Sequence, residues 1–267
     1  MENSQRYSCA VVTGASSGLG EEFALQLAPR VGRLVLVARR GEMLEDLAQR
    51  IGQKFSCKVV VLVADLACGD QRAALIADLK ERALAPDLLI NNAGLGDYGE
   101  FHTADWEKLQ AMLRVNIEAL VHLTHALVPG MIGRERAAVI NVSSLASILP
   151  IPDFAVYAAT KACVTSFSEA LRIELKEHGI EVLALCPGPV HTGFGEVARR
   201  GENQKGMPSR ELFYVAKERV VAEAFEALEK RRARVFPGLR TTLAAQVFSL
   251  MPMGLMRWCM SRRPRRS

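Results

Sequence analysis

The chain has 267 residues, 49% of them hydrophobic and 24% charged, enough apolar material for one large or two small domains and too much for a disordered one. Its net charge of +5 is matched by five arginines near the end, Arg257, Arg262, Arg263, Arg265 and Arg266, so the body is near neutral and nothing points to nucleic acid. Six cysteines and five histidines fall in no metal-ligand spacing, which excludes a sequence-encoded metal site and suggests reduced core thiols of a cytoplasmic protein. The opening MENSQRYS is polar and leads into a strand, so no secretory signal of ordinary form is expected.

In chain order, Tyr7 to Val12 is a short β-rich run that enters Thr13-Gly14-Ala15-Ser16-Ser17-Gly18-Leu19-Gly20, and helical periodicity follows from Glu21 to Ala28. Strand, glycine-rich turn, helix is the context of a phosphate-binding loop, because glycines let the backbone approach a pyrophosphate at a helix N-terminus. The spacing GxxxGxG differs from the GxGxxG dinucleotide fingerprint, and no GK[ST] of a P-loop is present. A second strand, Arg33 to Ala38, ends in Arg39-Arg40, where a dinucleotide site reads its adenosine ribose: an acid takes a 2′-hydroxyl, an arginine accommodates a 2′-phosphate. Solvated surface arginines opening a helix over 42–51 are the alternative.

A third strand over 58–64 leads to Asp65-Leu66, with Asp65 placed either to cap a helix over 69–84 or to contact an adenine. A fourth, Asp87 to Ile90, runs into Asn91-Asn92-Ala93-Gly94. The stretch 104–127 is helical and carries Asn116 among apolar neighbours, where a buried amide needs partners, either backbone groups or a water in a proton path. Ala137 to Ser143 reads as a buried fifth strand that delivers Ser144 at its edge.

From Phe154 to His178 a helix is expected, with Gly179 as its cap. It presents Tyr157 and Lys161 one turn apart on one face. A free tyrosine, with a pKa near 10, holds its proton too tightly to serve as a base at neutral pH; an ammonium about 5 Å away would favour the phenolate by roughly 3 kcal/mol, or about 2 pKa units. Ser144 would then bond the reacting oxygen. Beyond lie a sixth strand over 180–186, a rigid turn from Pro187 to Thr192, a polar stretch over 193–207 suited to a lid, a helix over 217–232 and a short strand over 233–236. Strands alternating with helices throughout argue for an α/β, Rossmann-type doubly wound parallel sheet of about seven strands, helices on both faces, in one domain over 1–240.

TGASSGLG at 13–20, NNAG at 91–94, Asn116, Ser144 with YAATK at 157–161, and PGPVHT at 187–192 together resemble the short-chain dehydrogenase/reductase family over roughly residues 7–236. The resemblance implies hydride transfer with a nicotinamide cofactor and a tetrad of Asn116, Ser144, Tyr157 and Lys161. Tyr157 would be the acid/base, Lys161 would lower its pKa and hold the ribose, Ser144 would orient the substrate oxygen and Asn116 would support a water relay; Ser143 is the nearby competitor for the serine role. It also implies cofactor contacts at Gly14, Ser16, Ser17, Gly18, Leu19, Gly20, Arg39, Arg40, Asp65, Leu66, Asn92, Ala93, Gly94, Tyr157, Lys161, Pro187, Gly188, Val190 and Thr192. The arginines imply NADP(H) over NAD(H), hence carbonyl reduction, and relatives usually pair through the helices at 104–127 and 154–178 as dimers or tetramers. A non-catalytic NADP(H)-binding sensor or scaffold is the alternative class, and an epimerase or dehydratase a third.

Apolar residues placed to form a substrate pocket are Leu95, Tyr98, Phe101, Leu145, Ile148, Leu149, Ile151, Phe154, Phe194, Leu212 and Phe213. The tail 241–267 is uncharged from Thr241 to Met256, interrupted by Pro252, and then basic. It is too short for a membrane span, and packing on the protein, at a dimer contact or on a membrane surface are its open roles.

Overall fold

A computed structural model describes residues 7–200 and 213–261. Seven parallel strands lie in the order β3-β2-β1-β4-β5-β6-β7. They are β1 Tyr7–Thr13, β2 Val31–Ala38, β3 Lys58–Val63, β4 Leu88–Asn91, β5 Ala137–Val142, β6 Ile180–Leu185 and β7 Arg234–Val235. The helices are α1 Gly18–Leu27, α2 Gly41–Lys54, α3 Gly69–Glu81, α4 Trp106–Leu113, α5 Leu120–Leu127, α6 Ala155–Glu174, α7 Phe194–Val197, α8 Lys217–Glu229, α9 Leu239–Leu250 and α10 Met253–Ser261. The chain is thus the Rossmann-type α/β fold anticipated above.

Central strands read as continuous apolar runs because both faces are covered. In β2, Leu34 and Leu36 pack with Phe23 and Leu27 of α1, Leu44 and Leu47 of α2 and Val221 of α8. The alternate Val35 and Val37 pack with Leu75 and Leu79 of α3 and Leu123 of α5. Each such side chain contributes roughly 1.5–3 kcal/mol of burial.

Strand order reverses between β1 and β4, which opens the crevice at the C-terminal sheet edge where ligands of such folds bind. Two sets of hydrogen bonds hold that switch point. At the far end, Asp87 accepts from Ser8 N at 2.6 Å, Ser8 Oγ at 2.7 Å and Cys9 N at 3.0 Å. At the crevice end, Thr13 Oγ1 accepts from the backbone N–H groups of Asn92 and Ala93, both at 3.0 Å, and Asn92 Nδ2 donates to Thr13 O at 2.9 Å.

Several elements depart from the sequence expectation. The helix expected over 104–127 starts at Trp106, capped by Asp105, and widens into a π-helical turn over Arg114–Ala119 before α5. The helix expected over 154–178 is α-helical to Glu174 and closes in a 3-10 turn before Gly179, the cap residue named above. Asp65 does not cap α3: its carboxylate accepts from Ala67 N two residues on, and Cys68 holds the N-cap position. Of the thiols read as core, Cys163 and Cys259 are exposed. The tail forms α9 and α10, broken at Pro252, with Thr241, Ala245 and Met256 buried against the body.

Replacing Asp87 with Ala leaves the N–H of buried Cys9 unpaired and unpins β1 from β4. The expected loss is about 2–3 kcal/mol of unfolding free energy, measured by urea denaturation.

Candidate active site

A cavity of about 2150 Å³ runs along the crevice from the glycine-rich loop to α9 and α10. At its nucleotide end, Gly14 and Gly18 adopt positive φ of 65° and 61°, conformations that L side chains rarely take. Gly20 answers a different need. A Cβ there would stand 2.2 Å from Gly14 O and 2.5 Å from Asn92 Nδ2, so the residue is bare because loop and β4 edge meet against it. Ser16, Ser17, Leu19, Asp65, Leu66, Asn92, Ala93, Gly94, Pro187, Gly188, Val190 and Thr192 line the cavity, while Gly20 supports it from behind.

The two arginines after β2 differ. Arg40 donates to Ser16 Oγ at 2.9 Å and to Ser17 Oγ at 2.7 Å, which brings its guanidinium over the glycine-rich loop. Arg39 lines the same end and is exposed. Hydroxyls and guanidinium together make an anion-receiving corner, and the apolar Ala64 and Leu66 beside it suit a planar base. The residues present therefore fit a dinucleotide.

Farther in, α6 and the end of β5 meet. The Ser144 hydroxyl accepts from Ala146 N at 3.1 Å and stands close enough to the phenol of Tyr157 to draw its pKa down. Ser143 is turned away: its Oγ donates to Lys161 O at 2.8 Å and pairs with Thr165 Oγ1 at 2.7 Å, so of the two serines Ser144 faces the cavity chemistry. Lys161 Nζ donates to Val142 O at 2.8 Å and lies 5.7 Å from the centre of the Tyr157 ring. Asn116 stands behind, outside the cavity wall. Its Oδ1 accepts from Leu95 N at 2.8 Å, and its Nδ2 donates to Leu95 O at 2.9 Å and Thr160 Oγ1 at 3.0 Å. It thereby ties the loop after β4 to α6, and the π-helical turn around it presents this amide.

The electrostatics depart from the sequence expectation. Burial pushes the Tyr157 phenol up to about 12, more than Ser144 lowers it. The same burial pulls Lys161 down to about 8. An ammonium that is itself desolvated and held by a carbonyl does not offset the desolvation of its neighbour.

Aromatic packing produces that burial. Phe154 stacks on Tyr157 with ring centres 4.1 Å apart, and Phe194 of α7 covers it at 5.5 Å. Phe194 reaches in because Gly96 gives way, where a Cβ would stand 2.7 Å from Cζ of that ring. The segment bearing α7 is latched: Arg200 Nε donates to the buried carboxylate of Asp97 at 2.9 Å, and its Nη1 donates to Glu100 O at 2.7 Å. Tyr98 N also donates to Ala198 O at 2.8 Å. Nothing in the sequence pattern near either residue announced this pairing, which joins positions 103 apart. Leu95, Tyr98, Leu145, Leu149, Ile151, Phe154, Phe194 and Phe213 all line the cavity as expected. Phe101 instead points outward at 66% exposure, Ile148 is not in the wall, and Leu212 lies outside the described residues, as do residues 201–207 of the lid stretch.

Among the described residues no group of His, Cys, Asp and Glu is arranged to hold a metal. No described helix is long and apolar enough to cross a membrane.

Comparison with known proteins agrees with this fold. Residues 8–203 match the family model "short chain dehydrogenase". The chain belongs to the short-chain dehydrogenase/reductase family of oxidoreductases. A very-long-chain 3-oxoacyl-CoA reductase of Rattus norvegicus is 30% identical over 208 residues, which cover 76% of this chain and 65%, just under two thirds, of that protein's length. A short-chain dehydrogenase from Sphingobium yanoikuyae in complex with NADPH superposes with a TM-score of 0.79 at 29% identity, covering 97% of this chain and 98% of the other. One from Burkholderia phymatum in complex with NAD gives a TM-score of 0.79 at 25% identity, over 100% and 99% of the two chains. A nicotinamide cofactor is common to these neighbours, and both its phosphorylated and unphosphorylated forms occur among them.

The depressed Lys161 value has a measurable consequence. An amine whose folded pKa is about 8 against an ordinary 10.5 weakens the fold wherever it must be charged, and that penalty lifts as pH rises from about 8 toward 10.5. Wild-type protein without cofactor should therefore gain up to roughly 3 kcal/mol relative to Lys161→Met across that window, and parallel urea titrations at pH 7 and 10 would measure the difference.

Proposed function

We propose that the chain is an NADP(H)-dependent oxidoreductase that moves a hydride between the nicotinamide and a carbonyl or secondary alcohol carbon of an apolar substrate, with Asn116, Ser144, Tyr157 and Lys161 as its working residues. The observation that carries this reading is the juxtaposition of Ser144 with a buried Tyr157, one helical turn from Lys161, deep in a cavity that begins at a phosphate-receiving loop. When bound, the cofactor supplies the hydride.

The chain's own residues handle the oxygen and the proton. At neutral pH a phenol near 12 is protonated, the state needed to donate to a carbonyl oxygen. Ser144 Oγ lies where it bonds the same oxygen as charge develops there. Lys161 then favours the phenolate left after transfer, more strongly when bound cofactor and substrate have displaced remaining water. Asn116 holds Leu95 and Thr160 in register and stands beside Gly94, where its Oδ1 and Lys161 Nζ both come within 3.5 Å of a Cβ built on that glycine. A proton path to solvent on that side is its proposed further role. Phe154, Phe194, Leu149 and Ile151 around the phenol favour a substrate that is apolar next to its carbonyl. That accords with the chain's similarity to a very-long-chain 3-oxoacyl-CoA reductase. Exposed Trp106, Leu113, Val121 and Ile173 on α4, α5 and α6 support pairing of copies through those helices.

Tyr157→Phe should lower kcat for an apolar ketone about 10²–10⁴-fold and leave NADPH affinity within about threefold, read by steady-state kinetics and fluorescence titration. Unchanged turnover would remove Tyr157 from the mechanism; tight cofactor binding with no turnover of any ketone by the wild type would favour a sensor or scaffold. Arg40→Ala should weaken NADPH about 10–100-fold and NADH hardly at all, the loss of a charge-assisted phosphate contact. Equal weakening of both would place the cofactor's discriminating group elsewhere.

A further inference from the structure

Seven of the chain's exposed large apolar side chains fall within twenty residues of α9 and α10: Leu239, Leu243, Val247, Leu250, Met253, Leu255 and Trp258, between 47% and 86% exposed. On α9 they are ordered. Leu239, Leu243, Val247 and Leu250 recur at spacings of four, four and three, which makes one stripe along the outer face of the helix. Thr241 and Ala245 are buried on the inner face, and Ala244 and Phe248 line the cavity. The helix therefore uses its inner side to wall the site and leaves a full apolar side uncovered. Exposed apolar stripes of this size mark an interaction surface.

Charge identifies what covers it. From Leu239 to Ser267 the sequence holds six arginines and no aspartate or glutamate. A second copy of this chain laid on the stripe would set six arginines against six. An anionic lipid surface offers hydrocarbon for the leucines and phosphate for the guanidinium groups, and Trp258 suits the interface between the two. Twelve residues of α9 are too few to span a bilayer, so the helix lies in the plane of the surface.

We propose that α9 and α10 form an apolar foot followed by a basic tail that docks the protein on anionic membranes, apolar stripe inward, with the cavity wall formed by Ala244 and Phe248 immediately above. The docking does not depend on the catalytic reading. Its test is sedimentation of the full-length protein with phosphatidylcholine vesicles and with vesicles of phosphatidylcholine and phosphatidylglycerol in equal parts. Binding is expected to the anionic vesicles, to fall as salt is added, and to drop at least about tenfold in L243Q/V247Q/L250Q. R262Q/R263Q/R265Q/R266Q should lose the preference for phosphatidylglycerol. Those residues are outside the catalytic and cofactor machinery, so NADPH titration and thermal melting should match the wild type; if the triple variant fails to fold, Leu250→Gln alone, at the most exposed position, is read instead. Absence of binding to anionic vesicles, or binding that the substitutions leave unchanged, would overturn the proposal. So would a dimer in solution that L243Q/V247Q/L250Q dissociates while vesicles go unbound.

Discussion

Lys161 is the constraint on which the rest of the site depends. The residue is 4% exposed, and a charge so buried is costly unless it finds a partner. The partner is the carbonyl of Val142, the last residue of β5, so the lysine fastens α6 to the edge of the sheet. Tyr157, one turn earlier, is carried to the same edge by the same helix, and the chain leaving β5 brings Ser144 within reach of its phenol. Thus one hydrogen bond between a helix and a strand end sets the positions of three functional groups.

Around this junction lies a hierarchy of polar bonds that keep an otherwise apolar sandwich in register. Asn91 donates to Asn141 and to Thr124, and Asn141 donates to Ser168, a buried chain that joins β4, β5, α5 and α6. Asn116 does the same work one layer closer to the cavity through Leu95 and Thr160. Buried polar groups that are largely satisfied in this way specify one arrangement of helices on the sheet, because any slip would strand them. Their presence beside the site keeps its geometry independent of the looser segments over it.

Those segments give the cavity its dryness. Phe194 rides on α7, a helix of four residues that has little stability of its own and is held by the Arg200 to Asp97 pair and by backbone bonds to Tyr98. The desolvation that raises the Tyr157 phenol and lowers Lys161 comes from this cover and from Phe154. The titration behaviour of the site is therefore coupled to the position of a short, latched segment rather than to the sheet alone.

The sequence by itself determined the parallel sheet and the positions of its strands along the chain, because buried strands, glycine-rich turns and helix faces are local patterns: all seven strands were legible to within two residues, and Tyr157 with Lys161 followed from helical spacing alone. It favoured Ser144 over Ser143 on spacing alone, and left Arg39 and Arg40 as a pair. Tertiary structure separated them, since only there does Thr165 draw Ser143 away and do Ser16 and Ser17 receive Arg40. The π-helical turn at Asn116 was invisible because an apolar helical pattern runs through it, and the Asp97 to Arg200 latch because its partners are far apart in the chain. The sign of the tyrosine shift was misjudged for the same reason. Proximity of two residues on a helix can be counted along a sequence, whereas desolvation depends on everything the fold packs around them.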